Sequence, residues 1–169
     1  MLYKEDIVDI PMKYFPDKPA MYGEMARLIG EMADETDDLY AVLANTSALF
    51  SLYMKDVSWT GFYLMKRGRL VLGPFQGKPA VAEIAAGRGV CGTAAEERRT
   101  QIVADVHSCK NHIACDASTA SEIVVPLLSG SALYGVIDID SRKKARFDEE
   151  DAAGLAACAA MLVEKAFEK

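Results

Sequence analysis

Ser58-Trp59-Thr60-Gly61-Phe62-Tyr63-Leu64-Met65 repeats with a period of two, and Lys66-Arg67-Gly68 then turns the chain into Arg69-Leu70-Val71-Leu72-Gly73-Pro74-Phe75-Gln76. Two apolar, aromatic-rich runs joined by a short polar segment with a glycine predict a β-hairpin. Alternation places Trp59, Gly61 and Tyr63 on one face of the first strand and Thr60, Phe62 and Leu64 on the other. Two aromatics with polar tips around a glycine suit the wall of a pocket and an amphipathic part of the core equally well.

Upstream of the hairpin the period is that of a helix. After an irregular lead over residues 1–18, Met21, Met25, Leu28, Ile29 and Met32 fall on one helical face, with Pro19 tolerated in or before the first turn. The acidic break Asp34-Glu35-Thr36-Asp37-Asp38 supplies caps for a second helix, whose stripe is Leu39, Val42, Leu43, Thr46, Leu49, Phe50 and Tyr53. Downstream, the glycine-rich Gly87–Thr93 leads into a short helical stretch ending near Arg99, and Gln101-Ile102-Val103 reads as a brief strand. A loop of about fifteen residues follows with both histidines, a length that inside a compact domain usually marks function or disorder. Glu122–Leu128 and Leu133–Asp140 form a second hairpin around Ser129-Gly130-Ser131, apolar enough to be covered on both faces. The last helix starts at Asp148, with Asp151 completing a capping box, and buries Leu155, Cys158, Ala159, Leu162 and Ala166. Helix-helix, hairpin, small helix and loop, hairpin, helix is the order of an α+β fold, an antiparallel sheet with helices packed on it.

The 169 residues suit a single domain, residues 1–169, and leave little room for a second. Composition is that of an ordinary globular chain, 51% hydrophobic and 26% charged with a mean hydropathy of +0.05. A net charge of −6 argues against a binder of nucleic acid, and the one basic run, Arg142-Lys143-Lys144-Ala145-Arg146, reads as a solvated loop. Neither a signal peptide nor a membrane-spanning run is visible, so a cytoplasmic setting with reduced thiols is expected. Cys91, Cys109, Cys115 and Cys158 are then candidates for catalysis, redox work or metal before disulfides; Cys158, on the last helix's stripe, reads as a small hydrophobe.

The chemistry concentrates between Gly87 and Asp140. Asp138 and Asp140 are two apart on a strand, so they share a face with Cα atoms roughly 6.5–7 Å apart. Glu122 opens the partner strand and can add a third carboxyl. Acids beside Val136, Ile137 and Ile139 need a cation, a metal or a shared proton, unless they lie past the buried part and face water. Cys91 follows a Gly-x-Gly turn at a helix start, where free N–H groups and the helix dipole lower a thiol pKa. Cys115 lies beside Asp116 and near His112, and pairing with a histidine can activate either thiol. His107, Cys109, His112 and Cys115 offer zinc ligands, but four within nine residues are packed tighter than paired zinc knuckles, and no metal is expected there. Gly87–Thr93 lacks the endings of a nucleotide-phosphate loop.

With these residues in place the chain resembles the free methionine-(R)-sulfoxide reductases, stand-alone GAF-domain proteins. The likeness runs from about Tyr22 to the C-terminus, through Ser58–Leu64, Leu70–Ala80, Gly89–Ala94, His112–Asp116, Ser121–Leu127 and Gly135–Asp140. It implies a GAF-like antiparallel sheet and reduction of free methionine-(R)-sulfoxide to methionine. By the same resemblance Cys115 attacks the sulfoxide sulfur and becomes a sulfenic acid, Cys91 resolves it as a disulfide, and thioredoxin reduces that disulfide without any bound cofactor. Glu122, Asp138 and Asp140 would hold the substrate ammonium and share a proton with the sulfoxide oxygen, and Trp59 and Tyr63 would form the slot for the ε-methyl group. A homodimer packed through helices is expected from GAF relatives. Many members carry a third cysteine ten residues before Cys91, where this chain has Val81, and Cys109 is a candidate auxiliary thiol in its place. The order in which Cys91 and Cys115 react stays open. The alternative reading, a GAF sensor without catalysis, is weakened by an acidic pocket that repels phosphate.

Overall fold

Carboxylate caps set the helix starts. Asp17 accepts from the Ala20 amide at 2.8 Å and opens α1 (Lys18–Glu35); Asp38 accepts from the Ala41 amide at 3.0 Å and opens α2 (Leu39–Tyr53). The computed structural model describes residues 14–108 and 117–169. Within them lie β1 (Trp59–Lys66), β2 (Arg69–Gln76), β3 (Glu83–Ala85), α3 (Gly89–Glu97), β4 (Gln101–Val103), β5 (Ser121–Ser129), β6 (Ala132–Ser141) and α4 (Glu149–Leu162). A wider helical turn, Val163–Phe167, continues α4.

The strands form one sheet in the order β3-β2-β1-β6-β5-β4, and every neighbouring pair is antiparallel. The expected α+β architecture is the one observed. The first hairpin turns through Arg67 and Gly68, both with positive φ (53° and 76°), the turn geometry that matches strand twist. β3 was not expected: three residues with one buried side chain carry no readable period.

Alternation divides the sheet into two apolar layers. Phe62, Leu64, Ile123, Val125, Leu127, Ile137 and Ile139 face α1, α2 and α4 and form the larger core. Trp59, Tyr63, Val124 and Val136 face the other way, against Val90, Cys91, Ala94 and Ala95 of α3. The capping box predicted at Asp148 and Asp151 is present. Asp151 also accepts from Tyr22 Oη at 2.7 Å, pairs with Lys18 at 2.7 Å and Arg146 at 3.2 Å, and accepts from the Asp148 amide at 3.0 Å. This buried hub ties α1 to the start of α4. It also corrects the reading of the basic run: Lys143 and Lys144 lie at the surface and pair with Asp56 and Asp105, but Arg146 is drawn inward to Asp151. No helix among the described residues is long and apolar enough to cross a membrane.

The α1–α4 contact is closest at Gly154, where an added Cβ would lie 2.1 Å from Tyr22 Cγ. Alanine favours a helix interior over glycine by about 1 kcal/mol, but overpacking costs about 1–3 kcal/mol. Gly154→Ala is therefore expected to lower the urea midpoint with the slope unchanged; a higher midpoint would contradict the close packing.

Candidate active site

Register builds the site. Across the sheet Val103 pairs with Glu122, Glu122 with Asp140, and Asp140 with Trp59. One step along, Val124 pairs with Asp138, Asp138 with Gly61, and Gly61 with Phe75. A third row holds Pro126, Val136 and Tyr63. The three carboxyls and two aromatics singled out in the sequence thus occupy adjacent positions on one face of the central strands, the face that α3 covers. Glu122, Asp138 and Asp140 are 6%, 6% and 7% exposed, which excludes the reading in which they simply face water.

Cys91 reaches this face from the first turn of α3. The turn before it uses positive φ at Gly87 (73°) and Gly89 (63°). At Gly92 a side chain would meet the Ala85 carbonyl at 2.5 Å, so the helix packs down only because that position is bare. One ligand-type atom each from Cys91, Glu122 and Asp138 lie within 4.8 Å of one another, all buried.

The environment sets the protonation states. Burial pushes the Cys91 thiol well above its ordinary range, and the charges of Asp138, Glu122 and Asp140 push it further. The sequence reading, in which the helix start lowers this thiol, is overturned: one partial positive charge does not offset desolvation and three acids. Burial likewise pushes Asp138 up to about 6, against hydrogen bonds with Cys91 and Glu122 that favour its charged form. Asp138 Oδ1 is buried with no hydrogen-bond partner among the described residues. An orphaned acceptor of this kind is costly unless a ligand donates to it.

The aromatic wall is braced from behind. Trp59 stacks on Phe75 (centroids 5.2 Å) and on Tyr63 (6.1 Å), and its Nε1 donates to the Lys78 carbonyl at 3.0 Å. Tyr63 Oη donates to the Val81 carbonyl at 2.9 Å, which ties the position ten residues before Cys91 to the tip of this wall. Added Cβ atoms would fall 2.7 Å from Trp59 Cη2 at Gly61 and 2.5 Å from Trp59 Cδ1 at Gly77. Phe75 and Gly77 escaped the sequence reading. Unbroken alternation from Leu72 would have put Phe75 on the opposite face; the register shift between Gly61 and Tyr63 against β2 sets it opposite Gly61, on this one.

Cys109, Cys115, His112 and Asp116 lie outside the described residues. His107 is exposed and pairs with Asp105 at 3.2 Å. The loop's described ends meet beside the acids: the Val106 amide donates to the Ala120 carbonyl at 3.0 Å, two residues before Glu122. Cys158 is buried against α1, as a small hydrophobe should be.

Comparisons with known proteins identify the family. The GAF domain family matches residues 33–166. The free methionine-R-sulfoxide reductase of Escherichia coli is 48% identical over 147 residues, covering 86% of this chain and 88% of that protein. The structure of the free methionine-R-sulfoxide reductase of Neisseria meningitidis in complex with its substrate superposes with a TM-score of 0.85 at 42% identity, over 90% of this chain and 92% of that one. That of Staphylococcus aureus, also with substrate, gives 0.80 at 44%, over 85% and 94%.

A raised Asp138 predicts a pH dependence of folding. Between the unfolded carboxyl value near 4 and the folded value of about 6, the native state keeps a proton that the unfolded chain has lost. Stability due to this group is therefore full below about pH 4 and is lost as pH rises through about 6. Relative to Asp138→Asn, the wild type should lose on the order of 1–3 kcal/mol over that window in urea titrations. A constant difference would mean that the carboxyl titrates as an exposed one.

Proposed function

The chain belongs to the GAF domain family and, within it, to the free methionine-R-sulfoxide reductases, and we propose that it reduces free methionine-(R)-sulfoxide to methionine by a thiol–disulfide cycle. The observation that carries the reading is the joining of three buried acids, one carrying an unsatisfied oxygen, to a braced aromatic wall. A free amino acid brings an ammonium and its N–H donors to the acids and a methyl sulfoxide to the aromatics. A peptide-bound methionine has no ammonium and would leave the carboxyls uncompensated.

In the proposed cycle the Cys115 thiolate attacks the sulfoxide sulfur. The S–O bond breaks as the oxygen passes to Cys115 with a proton, leaving methionine and a sulfenic acid. Asp138, protonated more readily than an ordinary carboxyl, can furnish that proton, and Glu122 and Asp140 hold the ammonium. The Cys91 thiol then attacks the sulfenic sulfur, water leaves, and a Cys91–Cys115 disulfide forms. A thioredoxin dithiol reduces it, so one sulfoxide consumes two electrons and two protons and releases one water. The raised thiol of Cys91 supports giving it the second step, because a thiol held protonated beside acids is a poor first attacker. Cys115 lies seven residues before Glu122, in the loop whose ends are joined there, which supports its access to the site. Cys109 is a reserve thiol for the same disulfide exchange. Self-association is part of the proposal, and α2 suits it: from Leu39 to Tyr53 it carries no charged residue and exposes Tyr40 and Leu52.

One equivalent of methionine-(R)-sulfoxide should convert the reduced protein to a Cys91–Cys115 disulfide, seen by peptide mass spectrometry, while the S epimer leaves it reduced. Cys91→Ser combined with Cys109→Ser should stop at a trappable sulfenic acid on Cys115, and Cys115→Ser should lose turnover with thioredoxin by at least about a thousandfold. Turnover that survives Cys115→Ser would refute the scheme.

A further inference from the structure

Cys91, Glu122 and Asp138, which have separate roles in the proposed cycle, also form together a constellation with the chemistry of a metal site. Three atoms of different softness, a sulfur and two carboxylate oxygens, lie within 4.8 Å of one another in a buried place. Asp138 is more than nine-tenths buried, and its Oδ1 has no hydrogen-bond partner among the described residues. We propose that these three residues bind a thiophilic divalent cation of the zinc class, which takes the place of the substrate ammonium and holds the site inactive. The cation site stands on this geometry alone; its competition with substrate rests on the function proposed above.

Zinc bonds of about 2.3 Å to sulfur and about 2.0–2.2 Å to carboxylate oxygen need ligand atoms closer than 4.8 Å, a contraction within reach of side-chain torsions. One sulfur with two oxygens selects zinc, cadmium or cobalt over magnesium and calcium, which prefer shells of oxygen. Binding exchanges a proton for the metal: the Cys91 S–H bond breaks, a sulfur–metal bond forms, and the proton leaves to solvent. Burial and the negative field of the acids together make this thiol reluctant to ionise in the free protein, and a dication neutralises that field. Asp140, opposite Glu122 and two residues from Asp138, adds to that field without being required as a ligand. A metal-bound Cys91 cannot complete a disulfide, and a Cys91 already in a disulfide offers no thiolate. The cation would therefore act on the reduced form only. This set is separate from His107, Cys109, His112 and Cys115, of which only His107 lies in the described part, exposed and paired with Asp105.

Cobalt(II) reports on such a site through sulfur-to-metal charge-transfer absorption. Added anaerobically to the reduced full-length chain, one equivalent should give the near-ultraviolet band. Cys91→Ser should abolish the band, and Asp138→Asn should weaken cobalt binding by at least about tenfold, both checked for folding by circular dichroism. A Cys109→Ser/Cys115→Ser double variant should keep the band. Because the two site variants remove different ligands, a folding defect in one leaves the other to decide. No band, or a band that survives Cys91→Ser and disappears in the double variant, would overturn the proposal. In the double variant, which lacks the proposed attacking thiol, free methionine-(R)-sulfoxide should displace the cobalt. Failure of displacement alone would overturn the shared-site reading while leaving the metal site intact.

Discussion

Between β5, β6 and β1 the hydrogen-bond register sets Glu122, Asp140 and Trp59 abreast, with Asp138 and Gly61 one row further on. Like charges directly opposite on neighbouring strands repel, and burial removes the water that would screen them. A slip of one residue would turn every one of these side chains into the helix-covered core and bring Ile123, Ile137 and Ile139 out in their place. The apolar half of each strand therefore holds the polar half in position. The larger core fixes the register, and the register imposes an electrostatic cost on the opposite face.

Asp151 shows what a buried carboxylate looks like when it serves the fold. It is fully enclosed, yet a tyrosine hydroxyl, a lysine, an arginine and a backbone amide satisfy it. Asp138 is nearly as deeply buried but meets a thiol, a second acid and an unsatisfied oxygen. The two groups have the same chemistry and opposite surroundings. The first closes the α1–α4 junction, and the second leaves a desolvation cost that a cationic donor, in the function proposed, would relieve on binding.

Much of this was legible in the sequence because period and burial coincide there. Helical stripes from Met21 to Tyr53, the two hairpins and the capping box at Asp148 all follow from local patterns, and the shared face of Trp59, Gly61 and Tyr63 follows from alternation. Asp138 among isoleucines already announced its cost. What local patterns could not carry were contacts across the sheet. Phe75 lies behind Trp59 only because of a register irregularity, β3 is too short to show a period, and Arg146 leaves its basic run for an aspartate five residues on. Cys91 is the instructive case. Its helix start is visible in Gly87–Gly92, but the acids that reverse its protonation come from strands thirty and more residues later.

That reversal orders the proposed chemistry. A thiolate in the first turn of a helix would be a strong nucleophile, ready before substrate arrives. A thiol kept protonated by burial first, and further by three neighbouring acids, instead gains when something neutralises them. In the cycle proposed here the substrate ammonium does so while the site is occupied, which eases the second step, and burial still holds this thiol back from the first. Val81, tied by its carbonyl to Tyr63, stands where a more exposed third thiol would relieve Cys91 of this dependence. Without that thiol, resolution in the proposed cycle falls to a sulfur whose readiness is coupled to occupancy of the acid site, with Cys109 in reserve. The same coupling makes Cys91 receptive to a metal dication, because ammonium and metal act on one set of charges.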